Sequence, residues 1–178
     1  MIKIALLALP LLALTACGGA SVVNPLKALE NKPPLTADGG TNPASGGPAT
    51  TPMDANFGRM LNEYRLASGV GTLAFDPLLE QAAEAHSNDM LKRDYFAHES
   101  PEGKDVHDRI LATGYKPTAW AENLGKGQQS DAEILKGWQN SPPHDAALRG
   151  GSLEEFGLAV AGTGSNTRWT LVMATPEK

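Results

Sequence analysis

Three polar residues of this 178-residue chain stand where packing gives no reason for them. In WQNSPPHDAALRG, residues 138–150, two prolines end one helical pattern and open the next. That puts His144 at or near a helix start, a poor place for a core side chain and a good one for a ligand. His98 lies in DYFAHESPEG, a loop that follows a helix and is closed by Pro101 and Gly103, with Tyr95 and Phe96 available to anchor it. Loops held on a rigid scaffold are where binding groups concentrate. Glu122 sits in TAWAENLGKG between an apolar triplet and Leu124, where an ionised carboxylate is costly unless paired or hydrogen-bonded. Neutral imidazoles are good ligands for Zn²⁺ and related ions, and two of them with a carboxylate leave positions open for water or a ligand. The same carboxylate beside a histidine or a metal-bound water is also a candidate general base. Separations this long do not by themselves specify a joint site.

The other two histidines read differently. His86 falls on the apolar face of a helix and is expected to be buried and hydrogen-bonded to backbone. His107, in the polar patch KDVHDR, is expected to be exposed. The chain has no G-x-S-x-G, H-E-x-x-H, phosphate-cradling P-loop or C-x-x-C. Its single cysteine, Cys17, lies far from the folded part, so cysteine catalysis there is excluded.

The elements that must position these groups follow from periodicity. Phe57, Met60, Leu61 and Tyr64 recur at helical spacing, ending near ASGVG. DPLLEQAAEAHSNDMLKRD is a second helix, with Asp76 as N-cap and Pro77 at the first helical position. A shorter helix is expected over KDVHDRILATG, stopped by Gly114. Another covers SDAEILKGWQN, opened by a Ser130/Glu133 capping box. EFGLAVAG and RWTLVMAT alternate with period two across a turn-rich GTGSNT, which predicts an antiparallel hairpin. Helices on a small antiparallel sheet make an α+β or layered α/β/α domain.

The first 53 residues have another character. Lys3, an apolar run from Ile4 to Leu14 and the small residues before Cys17 form a secretory leader. The run, about 11 residues, is shorter than the roughly 20 needed to span a bilayer. LTAC resembles a bacterial lipobox, which makes residues 1–16 a lipoprotein signal peptide and Cys17 the lipidated mature N-terminus. The alternative is an ordinary signal peptide cut near Ala16, leaving a free or intermolecularly paired thiol. Gly18 rather than Asp after the cysteine hints at outer-membrane or surface placement. Residues 17–53, rich in Pro, Gly, Thr and Ala, read as a disordered tether. Some 35 such residues span about 30 Å r.m.s.. A net charge of −5 with no basic run excludes nucleic acid as the main partner. Oligomeric state is left open.

Taken in order, MLNEYRLASGVGTLAFDPLLEQAAEAHSNDM, YFAHESPEG, RILATGY, AENLGKG, GWQNSPPHDAAL and EEFGLAVAG resemble the CAP superfamily of cysteine-rich secretory, antigen 5 and pathogenesis-related 1 proteins, in its bacterial SCP-like form. The likeness covers roughly residues 56–175 of a domain expected over 54–178. It implies a three-layer α/β/α sandwich with a cleft lined by two histidines and acidic residues: His98, His144 and Glu122, the last within the AEN motif. A further acidic residue expected near the Trp of GW is missing, since Trp138 is followed by Gln139 and Asn140; Glu155 is the bacterial substitute. Asp145 stands where bacterial relatives usually carry Asn. The resemblance implies a lipid-anchored, extracytoplasmic binding module for a lipid, envelope or matrix component, with Zn²⁺ or another divalent cation at the histidines. A Glu122-dependent peptidase or esterase is the alternative, and an interaction scaffold a third reading.

Overall fold

A computed structural model describes residues 52–178; the expected leader, the expected lipidation at Cys17 and the expected tether, as far as residue 51, lie outside the described residues. The elements in order are α1 (Pro52–Ala67), β1 (Ala74–Phe75), α2 (Pro77–Arg93), α3 (Val106–Ala112), β2 (Pro117–Lys126), α4 (Asp131–Gln139), α5 (Pro142–Leu148), β3 (Glu155–Ala161) and β4 (Arg168–Pro176). The strands form one sheet in the order β1-β3-β4-β2.

The expected hairpin is β3 and β4, antiparallel from Glu155↔Ala174 to Ala161↔Arg168. Their alternation sends Phe156, Leu158, Trp169, Leu171 and Met173 into one core with Phe57 and Leu61 of α1, Ile134, Leu135 and Trp138 of α4 and Leu148 of α5. On the other face Ala159, Val172 and Ala174 meet Leu79, Ala82 and Ala83 of α2 and Ile110 of α3. This is the α/β/α sandwich that the fold class requires. The antiparallel expectation is corrected at one edge: β1 pairs parallel with β3 through Ala74↔Glu155 and Phe75↔Phe156. The chain leaving α1 has to run beside β3 in that direction to enter α2, and Asp76 N–H donates to the Phe156 carbonyl at 2.9 Å just before the helix begins.

Helix boundaries follow local chemistry. Asp76 accepts from the amides of Leu78 and Leu79 at 2.8 and 3.0 Å, as an N-cap should. At the far end Asp94 takes the left-handed conformation, φ 50°. Ser130 caps Glu133 N–H at 3.2 Å, but the Glu133 carboxylate accepts from Gln129 rather than Ser130, so the predicted box is offset by one residue. A complete capping box exists instead at Asp105 and Asp108 of α3. Gly157 is demanded by close approach: a Cβ there would sit 2.0 Å from the Glu80 nitrogen, because α2 lies directly on β3.

Arg65 is fully buried without a carboxylate. Its Nε donates to the Gly71 carbonyl at 2.7 Å and its terminal nitrogens to Leu148 and Gly150 carbonyls at 2.6 and 3.1 Å. These bonds satisfy the guanidinium and tie the end of α1 to the end of α5, fixing the helix that carries His144.

Candidate functional site

Glu122 belongs to β2, which pairs antiparallel with β4 through Glu122↔Val172 and is the edge strand opposite β1. Period-two alternation sends Trp120, Glu122 and Leu124 toward the α2/α3 layer and Ala121, Asn123 and Gly125 toward the α1/α4/α5 layer. Sequence reading did not assign this strand. Its PTAWAENLGK composition mixes Pro, Asn, Glu and Gly, which β-strands disfavour, and only the register with β4 reveals it.

The Glu122 side chain is 2 % exposed, and both oxygens are engaged. Oε2 accepts from an Arg109 terminal nitrogen at 2.6 Å, and Oε1 lies 2.8 Å from His98 Nδ1. A carboxylate has only acceptors to offer, so His98 donates through Nδ1 and presents Nε2 outward. The His98 side chain is 59 % exposed. Arg109, 9 % exposed, donates through its other terminal nitrogen to the carbonyls of His98 and Lys104, both at 3.0 Å. One guanidinium therefore holds both the carboxylate and the backbone of the loop that carries the histidine.

His144 approaches β2 from the opposite side of the sheet. It lies in the first turn of α5, after Pro142 and Pro143, and its carbonyl accepts from Asn123 Nδ2 at 3.1 Å. Its Nδ1 is 2.8 Å from Ser141 Oγ, which makes no capping bond to the helix. Burial, and then the charge of His98, hold the His144 imidazole below its ordinary value of 6.5. His98 is thus close enough to oppose protonation of His144 across the edge strand. Asp145, the departure from the usual Asn, accepts from Tyr64 of α1 and pairs with Arg149 at 2.7 Å, so it anchors α5 to α1.

Glu155 does not join this group. It accepts from Tyr115 Oη at 2.6 Å and lies two strands and two residues from Glu122, about 12 Å at sheet spacings. His86 is buried as expected, its Nε2 2.9 Å from the Ala97 carbonyl. His107 departs from its expected exposure: it is half-buried and stacked on Trp120 with ring centroids 4.2 Å apart. Phe96 does not anchor the His98 loop inward; it is 46 % exposed and lines a slot of about 300 Å³ beside His144, with Trp138, Ile134 and Gln128. Arg109 and Ser141 were missed in the sequence, although RILATGY and NSPPH contain them. Neither carries a local signal, because their partners are distant or depend on a helix start.

The sequence profile of the Cysteine-rich secretory protein family, CAP, matches residues 59–174, nearly the whole of the folded part. The chain belongs to the CAP family. The uncharacterized protein YkwD of Bacillus subtilis is 27 % identical over 135 residues, covering 76 % of this chain and 52 % of that protein. The uncharacterized membrane protein YlbC of the same bacterium is 27 % identical over 101 residues, 57 % of this chain and 29 % of its own. This chain therefore spans about half, or less, of the curated relatives it matches. Among solved structures, an extracellular SCP-domain protein of Bacillus anthracis superimposes with a TM-score of 0.61 at 23 % identity, over 72 % of this chain and 45 % of that one. An outer surface protein of Borrelia burgdorferi gives 0.64 at 19 % identity, over 70 % and 92 %. These likenesses confirm the CAP fold.

Among the described residues, no group of three or more His, Cys, Asp or Glu side chains is placed to hold a metal ion. The donor set that remains is His98 Nε2 and His144 Nε2, each imidazole oriented through its other nitrogen by Glu122 or Ser141. Glu122 accepts from both Arg109 and His98 and so orients the His98 ring.

Proposed function

We propose that this protein is an extracytoplasmic CAP module, held at a bacterial membrane through a lipidated Cys17, whose cleft at the outer edge of β2 binds a lipid or cell-envelope component. The observation that carries binding over catalysis is the commitment of Glu122: with Arg109 on one oxygen, His98 on the other and the side chain only 2 % exposed, it presents no open face to a substrate. A carboxylate so paired is a poor general base and a good orienting group. The apolar slot formed by Phe96, Ile134 and Trp138 beside His144 suits an aliphatic or ring-bearing ligand. The descriptions of the two solved relatives, as an extracellular protein and an outer surface protein, support the location.

The histidine pair is the place for a divalent cation, Zn²⁺ by ligand preference, held by His98 and His144 and supplying a positive centre for an anionic ligand headgroup. Zinc titration calorimetry on the full-length protein tests this beside His98→Ala and His144→Ala. The expected result is weak binding near one ion per chain, abolished by either substitution. Equal binding by folded variants would overturn the cation site. Solvent extraction followed by mass spectrometry tests the ligand: a non-covalently held lipid lost on Phe96→Asp supports the reading, and an empty wild-type cleft that takes up no lipid from envelope extracts overturns it.

One observation favours a second reading. A histidine buttressed by a carboxylate at 2.8 Å with its other nitrogen outward is also a general-base dyad acting on water. Ester or peptide turnover lost in His98→Ala would support that reading.

A further inference from the structure

Away from the histidine cleft, α2, α3 and the loop of residues 100–104 enclose a groove of about 1020 Å³, more than three times the slot beside His144. Two of the cations that line it are left without a carboxylate partner among the described residues. Asp89 and Glu102 both pair with Arg93, which closes one end of the groove by joining α2 to the loop. Asp108 is used in its capping box with Asp105. Lys92 and Lys104, on opposite walls, pair with no carboxylate among the described residues. On the floor lie His86, with its ring nitrogen on a backbone carbonyl, and Arg109. The Arg109 Nε–H is buried and has no acceptor, whereas both terminal nitrogens of that guanidinium donate. An unmet buried donor costs about 1–3 kcal/mol. The groove thus offers two ammonium groups and one unmet buried donor, beside the carboxylates of Asp89, Glu102 and Asp108.

We infer that the α2–α3 groove is a second binding site, for a small oxyanion: a phosphate group, held between Lys92 and Lys104 over Arg109. Two mobile ammonium groups and a fixed guanidinium are the donors that phosphate recognition uses, and charge-assisted bonds to them are the strong kind. The groove shares no lining residue with the slot at His144, but Arg109 also holds Glu122 and the His98 loop, so the two lysines are the residues that test this site separately from the cleft.

The test is titration of isotope-labelled full-length protein with inorganic phosphate, and separately with glycerophosphoglycerol, the soluble headgroup of phosphatidylglycerol, followed by amide chemical shifts. Saturable shifts confined to residues 81–113 support the site. A response to phosphate assigns it to the free anion, and a response only to the headgroup assigns it to a lipid-borne phosphate. The Lys92→Ala/Lys104→Ala double variant alters only exposed side chains and should weaken binding at least about tenfold, the loss of one charge-assisted hydrogen bond. Arg109→Lys, which keeps the charge but removes Nε, should weaken it as well. No saturable shift with either probe, shifts elsewhere, or equal affinity in the folded double variant would overturn the inference.

Discussion

Replacing Glu122 by glutamine changes one atom and should reverse the chemistry of His98. In the native protein the carboxylate offers an acceptor on both sides, to Arg109 at 2.6 Å and to His98 Nδ1 at 2.8 Å. An amide has one acceptor oxygen and one donor nitrogen. Arg109 can only donate and is fixed by two backbone carbonyls, so the amide oxygen must turn to it. The amide nitrogen then faces His98 Nδ1, which must become an acceptor, and the ring proton moves to Nε2. The outward lone pair is lost. Removing a positioning partner of a metal ligand ordinarily lowers affinity about 10–100-fold, and reversal of the tautomer puts Glu122→Gln near the upper end. Stability should fall too, because Arg109 is left as a buried charge without its counter-ion; breaking such a pair costs about 3–5 kcal/mol, and the retained oxygen favours the lower figure. For a domain of this size about 3 kcal/mol corresponds to a drop of roughly 12 °C in Tm. The assays are a thermal melt, a zinc titration and long-range nitrogen–proton NMR of the His98 ring. A variant that melts within about 4 °C of wild type, or that keeps the Nδ1–H tautomer, would refute the reasoning.

Two further outcomes follow from the same structure. His86 and His144 are both held below the ordinary 6.5, first by burial, so the unfolded chain takes up protons there before the folded one does. Stability should therefore be lost as pH falls below 6.5 toward the depressed folded values and regained as pH rises; Tm measured between about pH 7.5 and 5.5 checks it, and a flat or inverted trend counts against it. Gly125→Ala would place a Cβ 2.1 Å from Ile134 Cδ1, an overpacking cost of about 1–3 kcal/mol. Ile134→Val removes that methyl, so in urea denaturation the double variant should be more stable than Gly125→Ala alone, despite the roughly 0.5–1.5 kcal/mol that the valine costs by itself; simple additivity would argue against the contact.

The sequence by itself determined the local parts. The Asp76–Pro77 start of α2, the paired prolines before His144 and the period-two β3–β4 hairpin are written in neighbouring residues, because caps, prolines and alternation act over a few positions. The ordered CAP motifs also carried the family. Tertiary structure decided what His98, Glu122 and His144 each contact. That Glu122 is held by Arg109 depends on a strand whose composition disguises it, paired to a segment some fifty residues later. That His98 and His144 reach one edge from opposite layers depends on β2 being an edge strand, which no local pattern encodes. Glu155 shows the limit in the other direction. Its alternation on β3 was legible, but its partner Tyr115, and its distance from Glu122, are set by strand order alone.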